Sequence, residues 1–443
     1  MAVTSASRCE QHIRRALGEN SFFNPTPIPK LFNMTRLSLL LTVAGLGRLA
    51  LAQNESPGVT LPVAKTCGPT TANVVCIDRY ASVLPYHFFR ESSVNETSFG
   101  QTSVPNDTSF GLVGKADFLV FDEKRALRAL GSAPTYDFIF NVSAAVHEAP
   151  VWVPALNKLF ISQLAPPPGY LPQLVVDLTQ DPPTLSEYLS DPPVYAPNGG
   201  TFYNGLIYWG ASGGNNSIGG TEQRSGIRTL DPLTNKTVTL LNNYYGYYFN
   251  TVDDLAVDST GAVWFTDPNY SWYNRLTDTA PQLKPASYRF DSKTGAVTMI
   301  DDSIAQPNGI ALSPNGAHLY ISDTGAVAGL NQQDSPPGSP FNQTGPRAIY
   351  KFDIVDRGTH IANKRPVWYA QDWTAANGWV LTGAGKGVDV LDEYGVLIMR
   401  VQTNYVVQNF AWVGDELTEF WMMGNNGISR VRWALQGQDL AAI

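Results

Sequence analysis

The sequence predicts an all-β protein: a six-bladed β-propeller with an irregular N-terminal extension and an incomplete fifth blade. Three observations lead there. Two stretches about fifty-five residues apart, FNTVDDLAVDSTGAVWFTDP (249–268) and QPNGIALSPNGAHLYISDT (306–324), share one plan. Each has an oxygen-bearing doublet (Asp253-Asp254, Asn308-Gly309), an alternating strand, a tight turn ending in Gly and a second strand closing on Asp. A repeat of this length made of hairpins is a propeller signature. Second, the turn-strand unit recurs six times. Third, long amphipathic helical periodicity is missing, while 38 Gly, 31 Pro and an aromatic content of 11% suit short strands joined by many turns.

Taken in order, the units are 154–162, 201–210, 258–266, 313–322, 376–383 and 413–422, with turns near 157, 204, 260, 315, 377 and 414. Asn-Lys, Asn-Gly or Thr-Gly before an apolar run is hairpin chemistry, in which Asn or Gly takes positive φ. The spacing is long for a β-sandwich, and the helices of a parallel α/β fold are lacking. The last two units are the least regular. Segments 53–145 and 325–345, rich in Ser, Thr, Pro and Gly, read as an extension carrying the first strands and as a surface loop. The propeller proper is expected over 141–443, after an extension at 53–140.

The first 52 residues read as a leader. A basic start at Met34-Thr35-Arg36, an apolar run from Leu37 to Leu46 and an Ala50-Leu51-Ala52 ending describe a secretory signal peptide over 34–52. The run is too short to span a membrane. Residues 1–33 then read as an upstream extension, with Met34 as a natural initiator. Removing residues 1–52 takes six basic and two acidic residues from totals of 30 and 38, leaving 24 against 36, a net charge of −12. That balance argues against nucleic acid or an anionic membrane as partner and suits a metal cation. Eight N-x-S/T sequons remain, at Asn54, Asn95, Asn106, Asn141, Asn215, Asn235, Asn269 and Asn342. With a leader they point to a secreted glycoprotein. Cys67 and Cys76 remain too, and in an oxidising compartment they are expected to pair as a local disulfide.

Oxygen donors recur at the same point of successive units. Glu148 precedes the strand of the first unit, Asn198 that of the second, Asp253-Asp254 the third and Asn308 the fourth. Singly, each reads as an Asx turn or a loop acid. In phase with a six-fold repeat, they converge on one channel mouth and form a candidate calcium site, since calcium takes six to eight oxygen ligands. His147 adjoins Glu148, but in a regular strand its side chain faces the other way. GASGG at 210–214 fits the G-x-S-x-G elbow, yet the turn-forming residues after it deny Ser212 the helix that motif needs. Asp267 and Asp323 read as strand-end residues.

The segments EAPVW (148–152), NTVDDL (250–255) with WFTD (264–267), and PNGI (307–310) with YISDT (320–324) resemble the gluconolactonase/regucalcin family of six-bladed propellers. PNGGTFY (197–203) and LLNNYYG (240–246) are similar to motifs of its secreted fungal lactonohydrolases. The resemblance runs from about 145 to 430. It implies calcium-dependent hydrolysis of a small-molecule lactone, sugar-derived or a secondary metabolite. Glu148 and Asn308 would then be metal ligands, and Asp253 a ligand, general base or substrate contact. Asn198 and Asp254 would contact substrate, with His147 as a further proton acceptor. The family's fifth blade opens on a Pro-Asp-Gly whose Asp binds the metal. Here YAQDWTAANG (369–378) holds no such motif, which implies a lost inner strand through a deletion or a misplaced splice junction between Asp372 and Asn377. Two other readings of the same propeller stay open: a catalytically silent binding protein, and a metal-independent enzyme of the strictosidine-synthase type.

Overall fold

Each of the six hairpins read from the sequence is the first strand pair of a separate antiparallel sheet. The structure, a computed structural model, describes residues 62–77, 84, 87–90, 101–215, 218, 223–327, 342–370, 375–377 and 380–439. The upstream extension, the signal segment 34–52, Asn54, Asn95, Asp372 and most of the loop 325–345 lie outside them.

The first two strands of blades one to six are Val151–Val153 with Lys158–Ile161, Pro197–Tyr203 with Leu206–Ala211, Leu255–Val257 with Val263–Asp267, Pro307–Leu312 with His318–Asp323, Ala375–Asn377 with Leu381–Gly383, and Val407–Val413 with Glu419–Gly424. Two further strands complete each blade, giving a six-bladed propeller of five four-stranded sheets and one, at blade five, that runs on to seven strands. In blade two, Asn204 (φ 48°) and Gly205 (φ 81°) both take the left-handed conformation that a two-residue hairpin requires.

The last blade closes the ring. Its outer strand, Thr135–Phe140, comes from the N-terminal side and pairs with Gly427–Arg432, setting Tyr136 opposite Val431. The Arg430 guanidinium donates to Asp137 at 3.1 Å across this seam. Further upstream, Val74–Ile77 pairs in parallel with Phe118–Val120, which joins the outer strand of blade five, Leu397–Gln402. A disulfide between Cys67 and Cys76 staples the hairpin formed by Ala64–Thr66 and Val74–Ile77. One amphipathic helix, Glu123–Leu130, follows Asp122, whose carboxylate caps the Arg125 amide at 3.0 Å. The described part of the extension thus carries more regular structure than its composition suggests.

The core is partitioned between blades. Trp209 is buried between blades one and two, Trp264 between three and four, and Trp421 between six and one. Burying a side chain of this size contributes roughly 2–3 kcal/mol. The outer strands are mostly exposed or half-buried, as Thr184–Tyr188 shows, except that of blade five, which Phe118–Val120 covers.

Blade five departs from expectation. Among the described residues its inner strand is present as Ala375–Asn377, paired with Leu381–Gly383. It leans on blade four, and against blade six the second strand makes the contact instead. Inside the blade, Arg400 and Asp389 sit opposite each other and form a buried two-bond ion pair at 2.6 and 3.0 Å. One expected glycan site is corrected: Asn269 is 6% exposed and buried against the strand ends, so the folded chain offers no room there for a sugar. Asn106, Asn141 and Asn342 are exposed.

Candidate active site

The inner strands all start at one mouth of the channel, and a repeated local device fixes each start. In blade three the Asp267 carboxylate accepts the Asn250 amide at 3.1 Å, the Asn250 side chain at 3.1 Å and the Thr251 amide at 2.7 Å. This folds the incoming loop back over the strand end and presents Asp253. Asp323 does the same in blade four, accepting the Ala305 and Gln306 amides, each at 3.1 Å. In blade one Ser162 takes the role, its hydroxyl accepting the Glu148 amide at 3.2 Å. Asp267 and Asp323 are therefore the strand-end residues the sequence suggests, with the added task of aiming the site.

A second set of bonds runs between blades. The Asn198 carbonyl accepts the Ala149 amide at 3.0 Å, joining blades one and two. Gly199 lets blade two approach blade three: a Cβ there would fall 2.3 Å from the Asp253 carbonyl oxygen. Thr266 donates to the Asn308 carbonyl at 2.6 Å, and the Ile310 amide donates to Asp254 at 3.0 Å, both joining blades three and four. Asn409 of blade six donates to Glu148 of blade one at 2.8 Å.

Asp254 and Asn409 are counterparts. Each side chain accepts the amide of the next residue, Leu255 at 2.9 Å and Phe410 at 2.8 Å, and each reaches across to the following blade. Both Asp254 oxygens are thereby engaged by backbone amides.

The electrostatics are one-sided. Asp253 is 2% exposed and its Oδ2 is buried without a hydrogen-bond partner. Burial, then the negative charges of Glu148, Asp254 and Asp267, push its carboxyl well above the usual carboxylate range. Asp254 is pushed up to about 7, by burial first and by Glu148, against the pull of its two amide donors. Asp267 is also pushed up to about 7, by burial against its amide donors. Burial first, then the neighbouring Asp253 carboxylate, raises the pKa of the Tyr270 hydroxyl, which bonds to the side chains of Thr324 and Asn308. His147 lies nearer to Glu148 than alternation along a strand suggests, with Nδ1 3.4 Å from Oε1. The reason is local: Ala149 has φ 51° and the strand starts only at Val151, so period-two geometry does not apply. Ser212 is fully buried at a strand end.

Glu148, Asn198, Asp253, Asp254 and Asn308 thus stand at the starts of the inner strands of blades one to four. Asn409 and Tyr270 complete the constellation and were not read from the sequence. Among the described residues no three of His, Cys, Asp and Glu gather as a metal-binding group. The oxygen donors present, two carboxylates and a carboxamide, are nonetheless the kind a hard divalent cation takes. The unpartnered Asp253 oxygen and the unbalanced negative charge around it fit such an ion.

A model of the SMP-30/Gluconolactonase/LRE-like region matches residues 212–334. Lactonohydrolase oryL of Aspergillus oryzae is 42% identical over 393 residues, covering 86% of this chain and 90% of that protein. Lactonohydrolase oryH of the same organism is 37% identical over 470 residues, covering 91% and 98%. In fold, the chain is similar to a gluconolactonase structure from Xanthomonas campestris, with a TM-score of 0.56 at 21% identity over 71% of this chain and 93% of that one. Among the described residues no helix is long and apolar enough to cross a membrane.

Proposed function

The chain belongs to the family of lactonohydrolases and gluconolactonases, and from that premise we propose that it hydrolyses lactones at this channel mouth with the help of a bound divalent cation, calcium by ligand type. The buried, unpartnered Asp253 oxygen set among the charges of Glu148 and Asp254 carries the reading. Glu148, Asp253 and Asn308 would hold the ion. When bound, it supplies Lewis-acid stabilisation of the negative charge that develops on a lactone carbonyl under attack by water.

The chain's own residues do the rest. Asn409 fixes the rotamer of Glu148 through a charge-assisted bond, the kind of support that holds a site to its working geometry. Asp253, whose proton affinity burial and the neighbouring carboxylates raise well above the usual carboxylate range, is placed to accept a proton from the attacking water. His147, beside Glu148, is the alternative acceptor. Asn198 offers its amide to substrate. Asp254, with both oxygens on backbone amides, is assigned to positioning and to the local charge rather than to substrate contact. Secretion belongs to the same reading, supported by the Cys67–Cys76 disulfide and by exposed sequons.

The test is ring opening of a lactone panel by purified protein in the presence of calcium. Ring opening of at least one member is expected; none across sugar, aliphatic and aromatic lactones removes the proposal.

A further inference from the structure

A cavity of about 150 Å³ lies in the channel immediately beyond Asp254 and Asn409, on the side away from the strand starts. Among the described residues five blades wall it with their inner strands, and blade five contributes Leu381 from its second strand. Among the same residues the inner strands of neighbouring blades touch one another around the ring, except that blade six meets the second strand of blade five. The walls are apolar: Leu255, Ile310, Leu312, Leu381, Phe410 and Trp412. Polar groups stand at the two ends, Asp254 and Asn409 at the site and residues 436–439 at the other mouth, where the Gly437 amide donates to the Leu417 carbonyl at 2.7 Å.

We infer that this cavity receives the apolar substituent of the substrate, so that the lactone class is alkyl- or aryl-substituted rather than polyhydroxylated; this rests on the lactonase reading above. Two residues tie the cavity to the reacting end. Asn409 bonds to Glu148, and Asp254 lies within the electrostatic reach of Glu148 and Asp253. A lactone ring at the carboxylates thus has an apolar space on the far side of Asp254 and Asn409. A volume of this size matches a benzene-sized hydrocarbon, about six carbons. A sugar chain in the same place would set its hydroxyls against groups that cannot bond them.

The experiment measures kcat/KM for γ-lactones from the unsubstituted ring to a decyl side chain, in wild type, Ala411→Leu and Leu381→Ala. Ala411 lines the cavity, so the first substitution shortens it and the second enlarges it. In wild type the constant should rise about three- to fourfold per added methylene and stop rising near six carbons. The ratio of hexyl to methyl lactone should fall in Ala411→Leu, and the optimum should move to longer chains in Leu381→Ala. A flat chain-length profile with the unsubstituted lactone still hydrolysed overturns the inference and leaves the lactonase reading standing. A probe without a lactone separates the two claims: n-hexanol should raise the thermal midpoint of wild type and not that of Ala411→Leu. That result without turnover of any lactone keeps the cavity and sinks the lactonase reading, and an unchanged wild-type midpoint sinks the cavity.

Discussion

Replacing Asp253 by Asn removes a buried charge that has no partner in the metal-free fold, so stability and activity should move in opposite directions. The Oδ2 of Asp253 makes no hydrogen bond, and Glu148, Asp254 and Asp267 all oppose its ionisation. Its proton affinity in the folded state lies above the unfolded value of 3.8, so between those two pKa values the native state binds the extra proton. The stabilising contribution is complete below the unfolded pKa and is lost as pH rises through the folded one. Metal-free wild type should accordingly lose stability from acid toward pH 8, and Asp253→Asn should lack that part of the slope. An unsatisfied buried group costs about 1–3 kcal/mol, and relief of that order raises the thermal midpoint by a few degrees. Thermal unfolding with chelator at pH 5 and pH 8, beside lactone hydrolysis with calcium, reads both sides. The expected variant is more stable than wild type at pH 8 with chelator and close to inactive. A variant less stable at pH 8, or one that hydrolyses lactone like wild type, refutes the reasoning.

Asn409→Ala frees the Glu148 carboxylate and should weaken divalent-cation affinity about 10- to 100-fold, read by calorimetry, with little change in thermal stability under chelator. Arg400→Ala strands the buried Asp389 carboxylate in blade five and should cost about 3–5 kcal/mol in denaturant unfolding. The paired change Arg400→Met with Asp389→Leu should recover most of that loss. Mass spectrometry of secreted protein should find glycans at exposed Asn106, Asn141 and Asn342 and none at buried Asn269.

The hairpins were legible because each carries its own chemistry: Asn204-Gly205 must turn, and the strands on either side alternate. The closure of the ring was not, since Thr135–Phe140 pairs with strand 427–432 almost three hundred residues away and nothing local marks it. At the site, Glu148, Asn198, Asp253 and Asn308 were legible through their phase with the repeat. Asn409 escaped because its unit lacks the doublet followed by a Gly turn. The signal available was an Asn near the start of an inner strand, Val407–Val413, as Asn198 and Asn308 are near the start of theirs. Tyr270 sits in a four-residue helical turn and reaches the site only through tertiary packing, so no sequence period could point to it. Blade five shows the reverse case: the missing Pro-Asp-Gly was read as a lost inner strand, whereas a strand does occupy that position. What a sequence cannot show is that Ala375–Asn377 takes up the strand position while Leu381 turns toward the channel.

The most direct measurement is the initial rate of lactone hydrolysis as a function of free calcium, for wild type and for Glu148→Ala at equal concentration of folded protein. A divalent-cation site at this mouth predicts a rate that vanishes with chelator, returns along a saturating curve when calcium is restored, and requires far more calcium or never recovers in Glu148→Ala. Equal rates with chelator and with calcium, unchanged in the variant, would contradict it.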